Sequence, residues 1–405
     1  MRRQSGLLVV LAGALAGLPA VAGGPLFIDE DGEPFAWSTA SPIAYRTDGG
    51  RLSSQVTNTQ ARSRVAAMFD VWEDVASSSI RYTRLGDVLD ADAFTDGNVS
   101  TAAEYDAIEG SCGNGAQSSI VYDEDGSLFE DLGEDPSVIG FAGPCAINGS
   151  GQYVSGVAVM NGIWQDGINT VNNPELTPAD FDAAFVHEFG HFSGLDHSQI
   201  NVECQFGCGT DNLAGLPTMF PFLMHASQGS LSTDDIAWIS RLYPAGGGSG
   251  FAATHGTISG TVYFSDGESH VQFANVIARR VDEGDNEDRR IAVSAVAGYR
   301  FRTCVPNLIT NPPEDFCPAS GSLTPAHIGL FEIPVPAGSY RIEVEGIDPA
   351  FTGGSSVGPG NFPIALPGTA PPPSAPIAIS PGETDTGNDV TLIGTPPRFD
   401  QFEGT

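Results

Sequence analysis

The stretch His187–His197 reads HEFGHFSGLDH and contains three of the seven histidines in a chain of 405 residues. A chain of this composition would contain the spacing H-E-x-x-H-x-x-G-x-x-H by chance in about one case in 10⁵. On a helix, His187 and His191 are four residues apart, so both imidazoles project from one face and can bind one ion. We therefore predict a metal site here rather than a helix that carries unrelated histidines.

The remaining residues of the motif predict the chemistry of that site. Glu188 lies about 100° around the helix from His187, which suits a general base beside the metal rather than a ligand. Gly194 lets the chain leave the helix in a conformation that other residues resist, and the reversal returns His197 as the third ligand. Three protein ligands leave one position of a zinc ion open, which is typical of a catalytic zinc. The motif predicts a zinc hydrolase.

The first 22 residues have the composition of an export signal. Met1–Arg3 is basic, Leu7–Leu18 is apolar, and Ala20–Ala22 is a small-x-small cleavage site. An uncleaved anchor is the alternative, although the apolar run is short and no later stretch reaches the length of a membrane span. We expect a secreted protein, extracellular or periplasmic, without a membrane span after cleavage.

The charge of the chain excludes one class of partner. Its 50 acidic and 17 basic residues give a formal net charge of −33, and such a surface repels nucleic acid and anionic membranes. The acidic run at 123–127 (DEDGS) could wrap Ca²⁺ through Asp123 and Asp125, yet it is shorter than an EF-hand loop. An acidic turn without an ion is the competing interpretation.

Six cysteines in an exported chain predict disulfide bonds. Six cysteines allow fifteen pairings, so the sequence does not determine the connectivity. Sequence order suggests three local pairs, which are Cys112–Cys145, Cys204–Cys208 and Cys304–Cys317.

Residues 25–244 have the pattern of one α+β domain. Alternating or apolar runs predict strands at 42–46, 80–85, 119–122 and 154–160, and a polar run predicts an irregular surface excursion at 86–118. A helix from Thr59 has apolar residues at intervals of three and four, with Trp72 in the core. Thr177 as N-cap and Pro178 in the first turn predict the metal helix over 178–193. A last helix is capped near Ser232 and has Asp234 and Asp235 in its first turn.

The remainder of the chain predicts an all-β sandwich. Residues 245–254 form a Gly-rich linker, and short alternating strands separated by turns fill 255–405, which also contain a Pro-rich tail. His255, His270 and His327 are scattered there, and we predict that they are surface or packing residues. A flexible linker implies few contacts between domains. We therefore expect a separately folding module that can hold the enzyme at a surface or polymer.

HEFGHFSGLDH followed by PTMFP at 217–221 resembles the metzincin metallopeptidases, and among them the matrixin-like group. Similarity extends over about residues 35–244 and includes the strand VAVMNG before the metal helix and the segment SLSTDDIAWISRLYP at 230–244. The resemblance implies a twisted mixed sheet with an antiparallel edge strand, three helices, and a substrate extended along that edge.

The same resemblance makes Met219 the methionine that lies beneath the metal site. In the family this turn follows the third histidine closely, whereas here residues 198–218 intervene, so Met224 is a competing candidate. The strands GTISGTVYFSDG and FEIPVPAGSYRIEVEG are similar to carboxypeptidase-regulatory-like β-sandwich domains.

Motif, export signal and resemblance together predict a secreted zinc metalloendopeptidase that acts on proteins or peptides. His187, His191 and His197 would hold Zn²⁺, and Glu188 would take a proton from water and deliver it to the leaving amine. One alternative is a catalytically silent zinc-bearing adhesin or matrix-binding protein, against which the intact Glu188 speaks. Another is a calcium-dependent surface protein with incidental histidines. The cleavage preference is open, because the pocket-lining residues fall within 198–218.

Overall fold

The protein is a mixed α+β chain with several separate sheets. The computed structural model describes residues 9–10, 24–89, 97–111, 117–135, 137–170, 173–281, 287–302, 305–307, 314–316, 321–347 and 368–394, and this part of the chain contains seven α-helices. The predicted export signal lies outside the described residues, except for Val9–Val10. Those two residues form a short strand that pairs antiparallel with Phe222–Leu223.

The largest sheet lies in the N-terminal half. The strands up to the metal helix are β1 (Val9–Val10), β2 (Ala36–Trp37), β3 (Ile43–Thr47), β4 (Tyr82–Asp87), β5 (Ser119–Asp123), β6 (Gly140–Ile147) and β7 (Gln152–Asn161). Strands β4, β3, β5 and β7 lie side by side and parallel, and β2 is parallel to the start of β7. Only β6 is antiparallel, paired with β7 from Gly140 opposite Met160 onward. The sheet is therefore mixed, with an antiparallel strand next to β7.

In the described residues, seven α-helices accompany the sheets. They are α1 (Asn58–Glu73), α2 (Ala102–Ser111), α3 (Ser127–Leu132), α4 (Pro178–Phe192), α5 (Thr210–Ala214), α6 (Thr233–Leu242) and α7 (Phe251–Thr254). Helices α1 and α4 pack on each other through Phe69 and Phe189, whose rings stack with centroids 3.8 Å apart. Trp72 is fully buried, and its Nε1–H donates to the Val186 carbonyl at 2.9 Å. The prediction that Trp72 belongs to the core is confirmed.

The prediction of an irregular excursion at 86–118 is wrong for its described second half. Helix α2 lies there, and buried Tyr105 and Ile108 join a second apolar cluster that contains Phe141. Thr101 and Glu104 begin the helix, because each side chain accepts the backbone N–H of the other. This T-x-x-E pattern is a capping box, and it was the sequence signal that could have identified the helix.

Residues beyond the linker form two larger sheets and one small two-stranded sheet. The remaining strands are β8 (Phe222–Leu223), β9 (His255–Tyr263), β10 (Ala274–Val281), β11 (Glu287–Val296), β12 (Val305–Asn307), β13 (Glu314–Phe316), β14 (Leu330–Pro336), β15 (Gly338–Gly346), β16 (Ile377–Ile379), β17 (Thr384–Asp385) and β18 (Val390–Thr391). One sheet has the order β11-β10-β15-β16, and in the other β9 pairs with β14, β17 and β18. Val276 and Val344 of the first sheet and Ile258 and Ile333 of the second are buried in the same apolar cluster.

The expectation of few contacts between the two halves is wrong. Trp238 of α6 donates from Nε1 to the Ser294 carbonyl of β11 at 2.7 Å, and Ser294 N–H donates to Asp234 Oδ1 at 2.8 Å. The Trp238 ring also packs edge-on against Tyr299, with centroids 6.1 Å apart. Residues 246–249 are exposed, as a linker should be. A flexible linker, however, does not determine how the surfaces that it joins pack together.

Candidate metal centre

Helix α4 begins and ends as its sequence predicts. Thr177 is the N-cap and accepts the Asp180 N–H, with Pro178 in the first turn, where a missing N–H costs nothing. The helix ends at Phe192, and Ser193 is the C-cap. This element presents His187 and His191 one turn apart, both almost completely buried.

Gly194 directs the chain from the helix to the third histidine. Its φ of +89° lies in the left-handed region, as expected for a glycine that ends a helix. A Cβ atom there would also lie 2.8 Å from Cε2 of Tyr153. The turn is closed by the Gly194 N–H on the His191 carbonyl and the Leu195 N–H on the Gly190 carbonyl, at 2.8 and 2.9 Å.

The three histidines converge on one point. Nε2 of His191 lies 3.1 Å from Nε2 of His187 and 3.1 Å from Nε2 of His197. Zn–N bonds of about 2.0–2.1 Å in tetrahedral geometry would place two ligand nitrogens about 3.3 Å apart. Among the described residues, this is the one group of three or more histidine, cysteine or acidic side chains that could hold a metal ion. The three predicted ligands are therefore positioned to hold a metal ion together.

Backbone carbonyls fix the tautomers of two of these rings. Nδ1 of His187 lies 2.8 Å from the Thr218 oxygen, and Nδ1 of His191 lies 2.8 Å from the Leu195 oxygen. Since a carbonyl only accepts, each Nδ1 must carry the proton, and each Nε2 then has a free lone pair. Sequence reasoning missed both partners, because a backbone carbonyl has no residue-type signature.

Burial keeps these rings neutral. Burial, aided by neighbouring His191 and opposed by the Thr218 carbonyl, lowers the pKa of His187 well below its usual value. Burial likewise lowers the pKa of His191 to about 4, although the bond to the Leu195 carbonyl opposes this. Neutral imidazole is the form that binds a metal, so the site needs no deprotonation step at neutral pH.

Glu188 follows His187 on α4, and its carboxylate has no hydrogen-bond partner. Its side chain is fully buried, and neither carboxylate oxygen has a hydrogen bond. Burial raises the pKa of this carboxyl well above its usual value. Its Cγ would lie 3.0 Å from a Cβ atom on Gly140 of β6, so a larger residue at position 140 would crowd Glu188. Sequence reasoning did not identify Gly140, which places the antiparallel strand next to this carboxylate.

Met219 lies against the metal helix, whereas Met224 packs on a separate apolar cluster with Phe220 and Phe222. A Cβ atom on Gly190 would be 2.2 Å from the Met219 Sδ, so sulfur and helix backbone are in close contact. Asp235 of α6 holds this turn by accepting the N–H groups of Thr218 and Met219 at 2.9 and 3.0 Å. The Met219 carbonyl accepts the Ser198 N–H at 2.7 Å, which ties the turn to the residue after His197. The preference for Met219 over Met224 agrees with these contacts.

Other predicted residues lie apart from this group. The Asp123 carboxylate accepts the N–H groups of Gly126 and Phe129, which start α3, and it belongs to no metal-binding group among the described residues. Cys204 and Cys208 form a disulfide as expected. The suggested pairs Cys112–Cys145 and Cys304–Cys317 each include a residue that lies outside the described part of the chain.

Within the described residues, no helix is both long and apolar enough to cross a membrane. Neither a scan against models of known protein families nor a search of curated proteins found a match to this chain.

Proposed function

We propose that the protein is a secreted zinc-dependent endopeptidase of the matrixin-like metzincin type. One observation carries the proposal: three buried histidines converge on one point, and Glu188 of helix α4 is a buried carboxylate without a hydrogen-bond partner. Burying a carboxylate without a partner costs on the order of several kcal/mol of folding free energy. A group that lowers stability in this way is typical of a functional site.

The donor set favours zinc. Imidazole nitrogens suit Zn²⁺, and three protein ligands leave the fourth tetrahedral position open to water or substrate. A zinc ion bound there would lower the pKa of water and polarise a carbonyl group. A zinc site also needs outer contacts that orient its ligands. The Thr218 carbonyl supplies this contact for the His187 ring, and the Leu195 carbonyl supplies it for the His191 ring.

Glu188 is the proposed general base. As the residue after His187, it approaches the site from the same helix, and its carboxylate makes no hydrogen bond that would have to break. We propose that it takes the proton of the attacking water and gives it to the leaving amine.

Strand β6 is the proposed substrate edge. Among the described strands it pairs only with β7, so its other edge carries no strand and is where an extended peptide would add as a further strand. Gly140 brings the start of this strand next to Glu188. A peptide on that edge would therefore pass the histidines, as the resemblance to matrixin-like enzymes implies.

The arrangement of sheets and helices supports the proposed assignment to the matrixin-like group. The mixed sheet with its antiparallel β6, the helices α1, α4 and α6, and the Met219 turn correspond to the catalytic domain that the resemblance implies. We propose that the two larger sheets beyond the linker are the carboxypeptidase-regulatory-like β-sandwich. The Cys204–Cys208 disulfide agrees with export, and the net charge of −33 favours protein or peptide substrates over nucleic acid.

The second candidate function is a zinc-bearing adhesin or matrix-binding protein that does not cleave. The sheets beyond the linker favour it, because they gather no group of metal-ligating residues among the described ones. Glu188 speaks against it, since a scaffold would gain stability from an apolar residue at that position.

Metal content and proteolysis measured together test the proposal. The full chain should bind one zinc by elemental analysis and cleave casein or gelatin, and a chelator should abolish cleavage until zinc is restored. His191→Ala should lose metal and activity, whereas His270→Ala, a histidine outside the group, should keep both. Zinc binding without cleavage would favour the silent scaffold. A chain that binds no zinc would contradict both functions.

A further inference from the structure

The segment of residues 198–218, here called the insert, connects the two sides of the candidate metal centre. It begins directly after His197 and ends at Thr218, whose carbonyl holds the His187 ring. Its first N–H, on Ser198, donates to the Met219 carbonyl. Both ends of the insert therefore contact residues of the candidate metal centre.

The insert is bound to the sheet of the C-terminal half. Ile200 is buried against Ile277 of β10 and Ala292 of β11. Asn275 Nδ2–H donates to the Gln199 carbonyl at 3.1 Å. A Cβ atom on Gly215 would lie 2.9 Å from the Arg289 oxygen, so the end of the insert runs directly against β11.

Arg279 is the centre of this contact. The side chain is completely buried on β10, and its Nε–H donates to Glu343 Oε2 of β15 at 2.5 Å. Its NH2 group reaches across to Asn201 Oδ1 at 2.9 Å, and Asn201 Nδ2–H donates onward to the Asn212 carbonyl at 3.2 Å. One guanidinium thus joins the sheet to both limbs of the insert.

Burying an arginine side chain costs free energy. A hydrophobic residue of similar volume often stabilises a core as well or better, because a buried charge must be desolvated. The guanidinium gives direction instead, since its planar donors fix the Asn201 side chain in one place. Asn201 itself has a φ of +57°, in the left-handed region that asparagine tolerates better than most residues. The contact therefore holds a specific conformation of the insert.

We propose that Arg279 is a positioning residue, through which the C-terminal half sets the conformation of the insert and so the peptide selectivity of the cleft. The effect on selectivity rests on the proposed peptidase function, whereas the effect on the insert does not. The C-terminal half is then part of the substrate-binding apparatus rather than only a module that holds the enzyme at a surface.

Two variants break the contact from opposite sides. Arg279→Met removes the donor and keeps much of the volume. Asn201→Gly removes the acceptor, and glycine keeps the left-handed backbone without strain. Arg280→Met is the matched control on the same strand. The full zinc-loaded chain is used throughout, and backbone hydrogen exchange is measured in the insert and in α4.

Exchange over residues 199–213 should accelerate by about ten-fold or more in Arg279→Met and Asn201→Gly, because each loses a charge-assisted hydrogen bond. Exchange in α4 and in the Arg280→Met protein should stay at the level of the parent. Unchanged exchange of the insert in Asn201→Gly overturns the proposal, as does equal acceleration throughout the chain. If Arg279→Met fails to fold, Asn201→Gly alone decides.

The kinetic readout distinguishes this proposal from the proposed function. For two peptides that differ only in the residue after the scissile bond, the ratio of kcat/KM values should change in both variants, mainly through KM. A constant ratio despite a mobile insert would contradict the effect on selectivity. Absence of cleavage in every protein, parent included, would instead contradict the peptidase function and leave the exchange result standing.

Discussion

At the scale of single residues, the candidate site depends on groups that the motif does not contain. His187 and His191 present Nε2 to one point because the Thr218 and Leu195 carbonyls hold Nδ1. The motif predicted the three ligands and Glu188 because their chemistry is in their side chains. Their orienting partners could not be predicted, because any residue type can supply a carbonyl.

Gly190 provides a test at this scale. It lies between the two helical ligands, and a Cβ atom there would meet the Met219 Sδ at 2.2 Å and Cζ2 of Trp72 at 2.9 Å. Since Trp72 is fully buried and cannot move aside, Gly190→Ala should destabilise the protein by about 1–3 kcal/mol. Urea unfolding measures this change, and zinc affinity should fall with it.

The matched control is Gly209→Ala, where a Cβ atom would have no neighbour within 4 Å. Its free energy of unfolding should stay within about 0.5 kcal/mol of the parent. Equal stability of Gly190→Ala and the parent would show that the close contact between helix and methionine does not constrain the site.

At the scale of elements, local sequence signals predicted the helix whose ends they mark, but not the strand that depends on pairing with a distant segment. Helix α4 was predicted almost to the residue, because Thr177 and Pro178 fix its start within one turn. Strand β6 (GFAGPCAI) was not predicted from its residues, since two glycines and Pro144 read as a loop. Pairing with β7 overrides that tendency, with register shifts around Pro144 and Ala146, and proline is tolerated on an edge strand.

At the scale of the whole molecule, the sequence predicted two halves but not the way in which they pack on each other. Composition predicted a Gly-rich linker over 245–254, of which Phe251–Thr254 form α7, whereas docking depends on side chains far apart in the chain, such as Trp238 and Ser294. No local pattern encodes such a pair. The docked halves also bury ionisable groups at their junction, which gives stability a pH dependence.

Glu345 of β15 supplies that dependence. Its Oε1 accepts Asn275 Nδ2–H, and Arg279, Glu203 and Glu343 are the charged groups around it. Burial, opposed mainly by Arg279, raises its pKa from 4.5 to about 7. Between pH 4.5 and pH 7 the folded state keeps the proton on Glu345, whereas the unfolded state releases it. The stabilisation that this proton gives the folded state is therefore complete below pH 4.5 and is lost as the pH rises through 7.

Glu345→Gln should therefore flatten the dependence. In the parent, this group makes the free energy of unfolding fall between pH 5 and pH 8, and glutamine, which still accepts from Asn275, removes that part of the slope. Urea unfolding at a series of pH values measures it, with exposed Glu268→Gln as the control. Identical slopes in parent and Glu345→Gln would contradict the assignment of the titration to Glu345.

The cleavage rate of zinc-loaded Glu188→Gln tests the proposal that Glu188 is the general base of a zinc peptidase. Glutamine keeps the shape of the side chain but cannot accept a proton, and the histidines are untouched. The variant should retain one zinc per chain while kcat falls by roughly 10² or more, with exposed Glu130→Gln unchanged as the control. Full activity in zinc-loaded Glu188→Gln would contradict the claim that this carboxylate is the general base of a zinc peptidase.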